Sequence, residues 1–182
     1  MNQRAIAIHE ASHAVVGICL GRSGLLKYIS IVATQDTKGG CHWDVLRGKC
    51  PPDEQGQEIG ICCAGPVGQV LYAPDSLGEY SSKFQETIFQ PDEVLEEAGC
   101  AGWASTDLNQ FIAMRRKRWP LDMFTEVEAP LKELLRRSSV EGAILELAHC
   151  LESLREIDGA AAEQIIKRHL SPHDYVGKAY LA

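Results

Sequence analysis

Residues 9 to 13 read His-Glu-Ala-Ser-His, inside an apolar run from about Gln3 to Leu20 that predicts a helix. Histidines four apart on a helix stand one turn apart on the same face, so one metal ion can meet both. A neutral imidazole nitrogen is a good zinc ligand, and two on rigid backbone leave room for a third protein donor and a water. The carboxylate of Glu10, next to the first histidine, can take a proton from such a water. His9 and His13 are therefore the expected metal ligands, and Glu10 the expected base, of a zinc hydrolase. The competing reading makes them ordinary buried histidines among Ala5, Ile6, Ile8, Val15, Val16 and Ile18. Burying two imidazoles and a carboxylate without partners is costly, which favours a site.

The motif alone does not complete a metal centre. The extended metzincin form fails, because Val16 stands where its glycine belongs and Cys19 where its third histidine belongs. The third donor must come from farther along the chain. Asp36, His42, Asp44, Glu58, Asp75, Glu79, Asp92 and Asp107 are all chemically suitable, and spacing does not choose among them.

At 182 residues with 45% apolar content, the chain is long enough for a single domain, 1–182, with a real core. A net charge of -7 argues against a nucleic-acid partner, and the run Arg115-Arg116-Lys117-Arg118 is too short to reverse that. The motif helix starts at once, with no signal peptide before it. The apolar stretch from Ala14 to Leu26 is broken by Gly17, Gly21 and Gly24 well short of a membrane span. Seven cysteines, an odd number without a repeating spacing, fit a reducing, cytoplasmic compartment better than a disulfide framework or a second zinc site.

The remaining pattern predicts an α+β fold that is mostly helical. Residues 28–33 and 41–46 alternate as two strands of a small sheet. Pro51-Pro52-Asp53-Glu54 opens a helix carrying Ile59 to Leu71, with a kink or break at Pro66 and small residues Gly60, Ala64, Gly65 and Gly68 that let another helix approach. Residues 73–102 are polar and mixed, with a short helix near Asp92 to Ala98. Ser105 or Thr106 can cap a further helix with Asp107 in its first turn. The last third reads as an all-helical bundle, about 122–137, 140–155 and 159–169. Its core is Leu131, Leu134, Leu135, Ile144, Leu147, Leu151 and Leu154, and His149, His169 and His173 are left at surfaces or helix ends.

Laid end to end, these segments resemble the peptidase domain of the FtsH family of ATP-dependent zinc metalloproteases. His9 to Gly17 is similar to the family's HEAGHA(I/V)VG segment, and Ile29 to Val32 with Gly39-Gly40 to its following strand pair. Cys63 to Val70 resembles the LGGRAAEEI stretch, Ala104 to Gln110 the GASNDLEQA stretch, and Leu147 to Ile166 the closing ETLDGEEI helix pair. The order is kept along nearly the whole chain.

The resemblance implies a zincin-type fold and nominates Asp107 as the third zinc ligand. It also implies a substrate strand at Gly40, Cys41, His42, Trp43, Asp44 and Val45, along which an unfolded or flexible polypeptide would lie. His42 and Trp43 either line that groove or pack on the core. Three departures stand out. No Gly-x-x-x-x-Gly-Lys-Ser/Thr loop exists, so any ATPase belongs to a separate partner chain. Pro66 and Gln69 replace an arginine and a glutamate of the family pattern, and residues 73–102 differ. A homo-oligomer stays open, as do two other functions: a binding or regulatory protein that keeps the fold, and a dedicated regulatory peptidase.

Overall fold

The computed structural model describes residues 3–34, 39–44, 55–76 and 121–177. Along the chain come α1 (Gln3–Cys19), β1 (Leu26–Ser30), β2 (Gly40–Trp43), α2 (Gln55–Tyr72), α3 (Leu121–Leu135), α4 (Ser138–Leu154), β3 (Glu156–Asp158) and α5 (Gly159–Lys167). Short 3-10 turns lie at Pro74–Ser76 and Pro172–Asp174. The described residues are thus mostly helical with one small antiparallel sheet, which agrees with the α+β expectation.

The motif helix is the centre of the described residues. From Ala7 to Cys19 every residue except His9 is buried, because alanine, valine, isoleucine and glycine leave α1 no broadly polar face. It packs against α2, α4 and the sheet. Full burial of side chains such as Ile8 and Ile18 contributes about 1.5–3 kcal/mol each. Its end is set by Gly21, whose φ of 97° a residue with a Cβ rarely adopts. The Gln57 side chain then donates to the Leu20 carbonyl at 2.5 Å, and the Arg22 guanidinium pairs with Glu58, so α2 ties down the helix exit.

The sheet order is β2-β1-β3, with β1 central and both neighbours antiparallel. Ile29 sits opposite both Cys41 and Ile157 and is fully buried. The third strand corrects the all-helical expectation for the C-terminal part. Only Ile157 of its three residues is buried, and its pairing with β1 is far off in sequence, so no periodic signal marks it. Asp158 then accepts from the backbone N–H groups of Ala160 and Ala161 at 2.9 and 3.4 Å and caps α5. Gly159 is pressed against β1: a Cβ there would lie 1.8 Å from the Leu26 carbonyl oxygen.

The bundle core is close to the expected one. Val140, Ala143, Ile144, Leu147, Ala148 and Leu151 form one buried stripe on α4, and Leu131, Leu134 and Leu135 meet it from α3. Leu154 is a correction: at 64% exposure it lies past the end of the stripe, on the last turn. No break occurs at Pro66, since α2 runs through it from Gln55 to Tyr72. Among the described residues, no helix is long and apolar enough to cross a membrane.

Candidate metal centre

The crossing of α1 over α2 is close because α2 presents glycine there. A Cβ at Gly68 would lie 2.0 Å from the Ser12 hydroxyl oxygen, and one at Gly65 would collide with both motif histidines. Two of the small residues singled out in the sequence therefore do allow a helix to approach, and the helix is the one that carries the motif.

The imidazoles of His9 and His13 meet edge to face, with ring centroids 4.8 Å apart and planes inclined by 76°. Their Nδ1 atoms turn toward α2: His13 Nδ1 lies 2.6 Å from the Ile61 carbonyl oxygen and His9 Nδ1 lies 3.3 Å from Gln69 Oε1. A carbonyl oxygen only accepts, so His13 carries its proton on Nδ1, and in the neutral ring Nε2 keeps its lone pair. Ile61, Gly65 and Gln69 follow at intervals of four, on one face of α2.

Whether a zinc ion suits these residues can be judged at Gly65. A Cβ built there would lie 2.3 Å from His13 Nε2 and 2.6 Å from His9 Nε2. Both nitrogens thus lie close to a single point, with His9 Cδ2 at 2.7 Å beside them, so the two rings crowd the backbone of α2 there. The missing side chain is what admits them. Two imidazole nitrogens, each with its other nitrogen held by an oxygen, are a donor set that fits zinc.

Among the described residues, no third histidine, cysteine, aspartate or glutamate converges with these two. His42 stacks on Tyr28, Asp44 pairs with Lys27, Glu58 pairs with Arg22, and Asp75 is exposed. The other sequence candidates, Asp36, Glu79, Asp92 and Asp107, lie outside the described residues, as do Val45, residues 92–98 and the basic run 115–118. Cys19, which occupies the metzincin ligand position, is buried beneath the helix end. Burial, with help from Asp174, pushes its thiol up to about 12, so it offers no thiolate.

Glu10 points to another side of α1. It is 8% exposed, and its Oε1 lies 2.9 Å from where a Cβ of Gly39 would be, so the carboxylate sits at the entrance to β2. That strand is at the edge of the sheet and has no further strand beyond it among the described residues. Its two ring-bearing residues divide. Trp43 packs on the core with its indole over Gly17, where a Cβ would come within 2.4 Å, whereas His42 stacks on Tyr28 on the exposed face with centroids 4.2 Å apart.

Sequence reasoning noticed Gly65 and Gln69 without seeing their part in the site, and it missed the Ile61 carbonyl. The spacing of four from residue 61 to 65 to 69 was the available signal. Comparison with protein-family models gives no match for this chain, and neither does comparison with curated proteins.

Proposed function

We propose that this chain is a zinc-dependent metalloendopeptidase that hydrolyses peptide bonds in unfolded or flexible polypeptides. The observation that carries this reading is the approach of His9 Nε2 and His13 Nε2 to one point over Gly65, with a buried glutamate of the same helix at the start of an edge strand. His9 and His13 would hold the ion, with Asp107 as the third donor that the family resemblance nominates. When bound, zinc supplies Lewis acidity toward a water and toward the scissile carbonyl.

The chain's own residues do the rest. Glu10 accepts the proton of the attacking water on its carboxylate and returns it to the leaving amine nitrogen. The outer edge of β2, Gly40 to Trp43, pairs with the substrate backbone through main-chain hydrogen bonds, which confers weak side-chain preference. Trp43 belongs to the wall of the core in this scheme, and His42, stacked on Tyr28 at the exposed face, is the ring that would meet a substrate side chain.

The test pairs metal content with cleavage of an unfolded casein-like substrate. Native chain should hold one zinc and cleave, whereas Glu10→Gln should hold zinc and fail to cleave. Loss of zinc on Asp107→Ala, with the fold retained, would identify the third ligand. Equal behaviour of native chain and Glu10→Gln would instead indicate a binding or regulatory protein. Cleavage of very few among many disordered peptides would indicate a dedicated regulator.

A further inference from the structure

The two motif histidines are held by different kinds of acceptor. His13 Nδ1 is 2.6 Å from a backbone carbonyl of α2, which no side-chain substitution removes. His9 Nδ1 is 3.3 Å from Gln69 Oε1, an acceptor on a side chain that the chain could replace. Gln69 is 5% exposed and lies one turn beyond Gly65, so its amide is confined beside the imidazole. A buried amide needs hydrogen-bond partners, and a buried imidazole needs its tautomer set.

We infer that Gln69 is a positioning residue for His9. Its Oε1 accepts from His9 Nδ1–H and thereby keeps the lone pair on Nε2, the ring nitrogen beside Gly65. This rests on the zinc reading of the site. An amide carbonyl is neutral, so Gln69 orients the ring without the added basicity that a carboxylate in the same place would lend to the ligand. Substitution at residue 69 should therefore tune metal binding in both directions while leaving His13 untouched.

The experiment uses the full chain in three forms: native, Gln69→Leu and Gln69→Glu. Nitrogen-15 shifts of the histidine rings in the metal-free protein report which nitrogen carries the proton, and competition with a chromophoric chelator reports affinity for zinc. Native protein should show His9 and His13 both protonated on Nδ1. In Gln69→Leu, the His9 signature should be lost and that of His13 kept, with zinc affinity falling about tenfold to a hundredfold. Gln69→Glu should keep the His9 signature and bind zinc at least as tightly as native protein. His9 protonated on Nε2 in the native chain overturns the proposal, as does a Leu variant with unchanged tautomer and affinity. A native chain that holds no zinc overturns the peptidase reading instead, and the ring shifts of His9 still decide the role of Gln69. The unmoved His13 signal shows in every case that the α1–α2 crossing is intact.

Discussion

Gly65→Ala is the sharpest test of the candidate metal centre, because the added methyl would displace both motif imidazoles. The Cβ would lie 2.3 Å from His13 Nε2 and 2.6 Å from His9 Nε2, against about 3.5–4.0 Å for a relaxed contact. Each ring must then withdraw by roughly 1 Å, at an overpacking cost of about 1–3 kcal/mol. That displacement is several times the roughly 0.2 Å tolerance of a metal–ligand bond. In native protein, excess zinc should raise the thermal midpoint by mass action. In Gly65→Ala the metal-free midpoint should drop by about 2–4 °C per kcal/mol, and zinc should no longer raise it. Gly68→Ala is the control: its Cβ would meet the Ser12 hydroxyl at 2.0 Å, so it should cost stability yet keep the response to zinc. Scanning calorimetry with and without zinc reads both effects. A Gly65→Ala protein as stable and as zinc-responsive as native would refute the placement of the site.

Two further outcomes concern the scaffold. Asp158→Ala removes the α5 cap and should lower stability by about 1 kcal/mol, measured as a shift of the urea midpoint with unchanged slope. Acid should weaken the fold through Glu163 and Asp174. Burial alone would raise both carboxyls, but hydrogen bonds from Lys167, Gly24 N–H and Ser23 to Glu163, and from Ser171 N–H and other neighbours to Asp174, hold them below their ordinary 4.5 and 3.8. The unfolded chain then binds more protons than the folded one as pH falls through those values, so urea midpoints should decline there and stay level near neutrality.

Where structure is local, the residues announce it. The motif helix, the two strands after it and the three C-terminal helices all lie within a few residues of where periodicity and punctuation put them, because burial of one stripe needs a repeating pattern. Helix α4 shows what such reading misses. It ends at Arg155, whose φ of 69° suits glycine, so the stop signal is absent at the residue that turns the chain. Strand β3 was unreadable for a different reason: Glu156-Ile157-Asp158 becomes a strand only because Ser30 and Tyr28 are there to pair with it. At the candidate site, the pairing of His9 with His13 on one helix face was legible from spacing. The acceptors behind them, the Ile61 carbonyl and Gln69, depend on how α2 crosses α1, and a crossing is a property of two helices together.

The placement of α1 also bears on how the chain is made. Its flank is closed by α4 from far along the sequence, with Arg4 pairing to Glu152 and Gln3 donating to the Glu152 carbonyl across 149 positions. A ribosome releases the apolar motif helix long before that cover exists, so until α4 emerges the nascent protein carries one flank of the helix unshielded and prone to aggregation. A chain cut short ahead of α4 should therefore be a substrate for chaperones rather than a smaller working protein.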